Sequence, residues 1–130
     1  MRITIKATNM DLTDALREYA EQKIRPLEKL TSAASDTIHA AIEIGKTTHH
    51  HKKGDIFRAE VNFHLAHTML RAVSVKNDLY SAIDDMKDEI SRELSVHAKK
   101  DRTLIRRGAQ AIKNIIQGAE DFFRKKRSNK

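Results

Sequence analysis

The chain has 130 residues, with 25 Lys and Arg against 18 Asp and Glu and a formal net charge of +7. That length fits one domain plus an extension, enough to bury about two-thirds of the unfolded surface. The absence of cysteine excludes disulfides and thiolate metal sites, and no apolar run approaches the ~18 residues that span a bilayer. The N-terminus alternates apolar and polar residues instead of carrying a basic start and an apolar run, so the chain reads as a soluble, cytoplasmic protein.

Residues 2–6 alternate with Ile3 and Ile5 inward, a short first strand. Thr13 offers an N-cap hydroxyl, and Asp14 and Glu18 put negative charge in the first turns of a helix, where its dipole favours it. Leu16, Tyr19, Ala20, Ile24, Leu27 and Leu30 mark that helix's buried face. Pro26 lacks a backbone donor and clashes one turn back, which predicts a kink or a last turn that restarts. A second strand is expected over residues 37–46, with Ile38, Ala40, Ile42 and Ile44 on one face and His39, Ala41 and Glu43 on the other. The polar segment KTTHHHKKGD then forms a hairpin loop ending on a Gly-Asp turn signal. In the next strand Phe57, Ala59, Val61, Phe63 and Leu65 alternate with Arg58, Glu60, Asn62 and His64. After the break at Ala66, His67 and Thr68 the chain extends again over residues 69–76, completing a hairpin. Asn77 or Asp78 caps a second helix whose stripe is Leu79, Ile83, Met86, Ile90, Leu94 and His97.

The order β-α-β-β-β-α predicts an α+β domain of two layers, both helices on one face of a mixed or antiparallel sheet. We place this domain at residues 1–102 and a basic C-terminal extension at 103–130. In the extension Ala109, Ile112, Ile115, Ile116, Ala119, Phe122 and Phe123 recur at helical spacing, predicting a third helix over 109–124. Charge is divided unevenly. Residues 1–93 hold 14 Lys and Arg against 15 Asp and Glu, whereas residues 94–130 hold 11 against 3. A neutral body with a basic end suits a polyanionic partner, most simply nucleic acid, held by phosphate neutralisation and counterion release.

No constellation points to catalysis. Asp84 with Asp85 and Asp88 with Glu89 are neighbours on a helix, diverging by about 100° per residue rather than converging on a substrate. The four glycines are not clustered into a phosphate-cradling loop. His49, His50 and His51 have no cysteine or carboxylate at ligand spacing and no orienting second layer, so we read a loop tip rather than a metal site. There, His51, Lys52 and Lys53 add positive charge beside a phosphate backbone.

The segments RITIKATNMDLTDALREYAEQKI, FRAEVNF, LRA and DLYSAID occur in an order and spacing that resemble the ribosome hibernation-promoting factor and ribosome-associated translation inhibitor family, also known as sigma-54 modulation proteins. The resemblance covers about residues 1–100. It implies a β-α-β-β-β-α domain similar to a double-stranded RNA-binding fold. It also implies binding to the small ribosomal subunit in the mRNA and tRNA channel, contact with 16S rRNA through basic side chains, and reversible silencing of translation under stress or in stationary phase. No cofactor, small-molecule substrate or membrane is implied, and ribosomal proteins are further partners within reach of the tail. The chain resembles a short form, because the longer members carry an added C-terminal dimerisation domain.

Lys23 and Lys29 match basic positions of that family on the first helix, with Arg25 beside them. Arg71 is the arginine of LRA, and Arg92 matches a basic position on the second helix. Glu89 and Glu93 depart from the family's lysine or glutamine, and Val96, His97 and Ala98 replace its basic-aromatic helix end. Asp78, Tyr80 and Asp84 match the family's DLY-ID pattern and read as a cap, a half-buried ring and a helix-face carboxylate. The expected rRNA-binding set is therefore Lys23, Arg25, Lys29, Lys52, Lys53, Arg71 and Arg92, joined by Lys99, Lys100, Arg102, Arg106 and Arg107 from the basic end. Such cations dock on phosphates across RNA grooves without reading bases. The competing reading is an RNA-binding or protein-interaction module that assembles through its C-terminal helix.

Overall fold

The structure is a computed structural model that describes residues 1–31, 33, 35–47 and 54–128. Four strands, β1 (Arg2–Thr8), β2 (His39–Thr47), β3 (Ile56–His64) and β4 (Met69–Lys76), form one sheet in the order β1-β2-β3-β4. β1 runs parallel to β2, whereas β2, β3 and β4 form an antiparallel meander. Helix α1 (Asp14–Ile24) provides the crossover that a parallel pair requires, and helix α2 (Leu79–Ser128) follows the meander. The chain divides into two compact units, Met1–Val96 and His97–Lys130.

The first unit is the expected α+β domain, with the alternation of each strand setting its two faces. Ala40, Ile42 and Ile44 of β2 stand beside Phe63, Val61 and Ala59 of β3, all buried, and Ala72 continues the row on β4. Leu16, Ala20 and Ile24 of α1 and Leu79, Ala82, Ile83, Met86, Ile90 and Leu94 of α2 join the same cluster. Met86 is fully buried, as its place in the stripe requires. Burying a side chain of this size stabilises the fold by about 1.5–3 kcal/mol. Gly45 is demanded by the parallel pairing: a Cβ there would meet the Thr8 carbonyl oxygen at 2.8 Å.

Both helix starts follow the sequence. The Thr13 hydroxyl accepts from the Leu16 amide at 3.2 Å, and Asp78 accepts from the Ser81 amide at 2.9 Å. Pro26 ends α1 by restarting it: a 3-10 segment, Arg25–Leu30, takes over with proline in its first turn, where the missing donor costs nothing. It buries Leu27. Strand β2 begins two residues later than expected, because Ser35–Thr37 is a short 3-10 turn.

The expected separate third helix is corrected. Residues 109–124 lie within α2, which runs as one helix from Leu79 to Ser128. The polar stretch before Gly108 reads as a break, yet it stays helical and its side chains bond back to carbonyls one turn earlier. Thr103 donates to the Lys99 carbonyl at 2.9 Å and Arg102 to that of Ala98 at 3.4 Å. Past the glycine, Gln110 donates to Asn114 at 2.9 Å. A single glycine inside a helix costs only about 1 kcal/mol relative to alanine.

Candidate nucleic-acid interface

The sheet face away from the helices is open, and the strand register lays out its side chains in rows. Arg2, His39, His64 and Met69 form one row; Thr4, Ala41, Asn62 and Arg71 form the next. Lys6, Glu43, Glu60 and Val73 follow, then Thr8, Gly45, Arg58 and Val75. Two glutamates therefore stand side by side in the middle of a basic face, an arrangement unfavourable on its own. Each has partners. Glu43 accepts from the Thr8 hydroxyl at 3.0 Å. Glu60 is only 8% exposed and is clamped between Arg58 Nη1 at 2.8 Å and Arg71 Nε at 2.7 Å. Burial works to raise the Glu60 carboxyl, but the hydrogen bonds and charges of Arg58 and Arg71 outweigh it and hold it below its ordinary value.

At the end of the same face the His39 ring stacks on His64, centroids 5.6 Å apart, and His39 Nε2 lies 2.9 Å from the Thr4 hydroxyl. Burial, then the charges of Arg2 and His64, push His39 below its ordinary value, so the neutral ring is favoured.

On the helical side, Tyr19 donates to Asp84 at 2.6 Å, and Lys23 reaches the same carboxylate at 3.4 Å while lying 5.3 Å over the Tyr19 ring. Tyr80 meets Tyr19 edge-on at 4.8 Å. The hydrogen bond to Asp84, then burial, push the Tyr19 hydroxyl up to about 12. Asp84 is thus a helix-to-helix tie, whereas Tyr80, expected half-buried, is 42% exposed. Asp85 points elsewhere and accepts from the buried Ser74 hydroxyl of β4 at 2.7 Å. These adjacent carboxylates serve packing in two directions.

The structure brings some of the expected cations together. Arg71 and Arg92 line one shallow groove along β4 and α2, shared with Glu89 and Glu93. Arg25 and Lys29 line another around Pro26 with Glu28, and Arg25 also pairs with Glu21 at 3.9 Å. Lys23 stands apart in its tie to Asp84. Lys52, Lys53 and the three histidines lie outside the described residues. In the second unit Lys99, Lys100, Arg102, Arg106 and Arg107 are exposed on α2. Arg58 was not among the expected residues, although alternation with Phe57 and Ala59 already puts it on the open face beside Arg71's carboxylate partner. Among the described residues there is no group of three metal-ligating side chains, and no helix is long and apolar enough to cross a membrane.

A two-layer α+β domain with a mixed four-stranded sheet, one polar face open and cations grouped at its edges, has the makings of a polyanion-binding protein. Comparison with known proteins gives the family: residues 3–102 match the sigma 54 modulation protein / S30EA ribosomal protein family, and the chain belongs to it. The ribosome hibernation promoting factor of Escherichia coli K12 is 26% identical over 100 residues, covering 77% of this chain and 96% of that protein. The factor of the same name from Azotobacter vinelandii is 29% identical over 100 residues, covering 77% and 85%. The N-terminal domain of Thermus thermophilus Protein Y superimposes with a TM-score of 0.63 at 24% identity, covering 75% of this chain and 99% of that one. A ribosomal subunit interface protein from Coxiella burnetii gives 0.59 at 21%, covering 75% and 97%. These two structures share the fold.

Proposed function

We propose that this protein is a ribosome hibernation factor that occupies the mRNA and tRNA channel of the small ribosomal subunit and reversibly inhibits translation under stress or in stationary phase, in the cytoplasm. The observation that carries the reading is the family match over residues 3–102, nearly the full extent of the first unit. Relatives that share it are named for ribosome hibernation. Occupancy rather than chemistry is the mechanism: a body of this size in the channel excludes the messenger.

In this reading 16S rRNA is met by Lys23, Arg25, Lys29, Lys52, Lys53, Arg71 and Arg92 from the domain and by Lys99, Lys100, Arg102, Arg106 and Arg107 from the basic end. Arg58 joins them on the open sheet face. The charges differ in how they are spent. Lys23, Arg25 and Arg71 each have a protein carboxylate within 4 Å, so on these three phosphate contact competes with an existing pair. Arg106 and Arg107 are exposed without an ion-pair partner among the described residues, so each phosphate contact they make releases counterions outright. Cosedimentation with purified 30S subunits tests the proposal. Binding at low salt that falls steeply as salt rises is expected; a protein that stays in the supernatant at low salt overturns it. Glutamate at Lys99 and Lys100 together should shallow the salt slope by about two phosphate contacts.

A further inference from the structure

In the second unit, Ile105, Ala109, Ile112, Ile116, Ala119 and Phe123 recur at alternating steps of four and three, the seam of a helix pair. Ile115 and Phe122 widen that seam on one side. The large residues are open: Ile112 is 60% exposed, Ile116 55% and Phe123 60%. Together the seam and its flank present on the order of 700 Å² of apolar surface, above the roughly 300–600 Å² of the largest patch on a typical monomer. A stable pair needs about 600–1,000 Å² per partner. We infer that this face of α2 is covered by the same face of a second copy, running antiparallel.

The orientation follows from a mirror relation in the sequence. Turned head to tail about Asn114, the stripe meets itself in size-matched layers: Ile105 opposite Phe123, Ala109 opposite Ala119, Ile112 opposite Ile116. Charge agrees. The residues flanking the seam on one side are Arg106, Lys113 and Glu120, and in antiparallel pairs such flanking positions face their own kind on the partner. Arg106 then meets Glu120 at both ends, leaving only Lys113 against its own copy. A parallel pair would instead set Lys113 beside Gly108 and Glu120 beside Ile115 of the other copy, with no Arg106–Glu120 pair. On the other side Gly108 falls beside Phe122 of the second copy. A Cβ at Gly108 meets nothing within 4 Å in the single chain, so intrachain crowding does not require glycine there. Room for a neighbouring ring gives a reason for a residue that weakens a helix. The segment lies beyond residue 102, where the family match ends, and the inference stands independently of the ribosomal reading. It uses Arg106, which that reading also claims, and leaves Arg107 facing outward.

The test is the mass of the full chain in solution by sedimentation equilibrium at tens of micromolar. Twice the 14.9 kDa of one chain is expected. A monomer overturns the inference, as do trimers or larger species, and a monomer that binds vesicles of anionic phospholipid reassigns the face to a lipid surface. Ile116→Asp should give a monomer while leaving the thermal midpoint of the first unit unchanged, which separates lost pairing from lost folding. Arg106→Glu should weaken pairing about tenfold and Arg106→Glu with Glu120→Arg should restore it. No native cysteine interferes with cross-linking. Under oxidation Ala109→Cys should cross-link to Ala119→Cys in a mixture but not to itself; self-linking of Ala109→Cys means a parallel pair and overturns the orientation.

Discussion

The two units of this chain carry the same device to different ends. In the first, α2 presents Leu79, Ile83, Met86, Ile90 and Leu94 at steps of three and four, and every one is buried against the sheet and α1. In the second, the same helix repeats the pattern with Ile105, Ile112, Ile116 and Phe123, and every one is more than half exposed. Charge is divided the opposite way. Of the twelve described Lys and Arg of the first unit six pair with carboxylates, among them Lys23 with Asp84, Lys46 with Asp55, and Arg58 and Arg71 with Glu60. In the second, Lys99, Lys100, Arg106 and Arg107 are exposed without an ion-pair partner among the described residues. An amphipathic period therefore marks a face that must be covered but does not say by what; the sheet answers that in one unit and not in the other.

The largest test of this contrast compares two truncations. Phe63→Ala removes a fully buried ring from the β3 core and should cost about 3–5 kcal/mol in denaturant unfolding of the first unit. Ile112→Ala removes comparable apolar bulk from an exposed site and should change that transition by less than about 0.5 kcal/mol. Equal effects would mean that the second unit is part of the first unit's core, and the division would fail.

The clamp on Glu60 gives the next effect. Arg58→Ala and Arg71→Ala each leave one guanidinium on the carboxylate and should each cost about 1 kcal/mol, discounted for the exposure of both arginines. The double variant strands a charge at a site only 8% exposed, so its cost should exceed the sum of the singles by about 1 kcal/mol or more. The pH dependence follows in sign. Glu60 is depressed in the folded state, so its stabilisation is complete above the unfolded value, near 4.5, and is lost as pH falls through the folded one. Without both arginines burial alone acts, the carboxyl is raised, and the gap to the parent protein should narrow on acidification. His39, depressed as well, contributes stability above 6.5 that fades as pH falls through its folded value. Urea unfolding from pH 7 to pH 3 reads both.

Much of the first unit was legible because its signals are local. Alternation at Ile38, Ala40, Ile42 and Ile44 gives a strand and its inward face at once, and Thr13 and Asp78 mark helix starts by their own hydrogen-bonding chemistry. What was not legible depends on distance in the chain. Lys23 reads as a cation, but its carboxylate sits on the other helix. Glu60 reads as an outward, solvated residue until Arg71 from the neighbouring strand closes over it. The break at Gly108 was misread for another reason: a glycine penalty of about 1 kcal/mol is real but too small to end a helix sustained on both sides. For the candidate interface the cations were visible as residues, whereas the pairing of Lys23 with Asp84 and of Arg71 with Glu60 required the fold.

The smallest effect tests whether the helical layer of the first unit is held by polar ties as well as by its stripe. Tyr19→Phe keeps the ring, which packs on Tyr80 and under Lys23, and removes only the hydroxyl that donates to Asp84. The loss should be about 0.5–1.5 kcal/mol. Lys23 remains near Asp84, but both side chains are more than a third exposed, so that ion pair replaces little of it. The same variant identifies the bond spectroscopically. Tyr19 ionises at about 12 because ionisation puts a second negative charge beside Asp84 and breaks the hydrogen bond. Ultraviolet alkaline titration should therefore lose its highest tyrosinate transition in Tyr19→Phe, and should lower it in Asp84→Asn, where the phenol keeps an amide neighbour but no longer faces a charge. If Tyr19→Phe leaves that transition in place, α1 and α2 are joined by apolar contact alone.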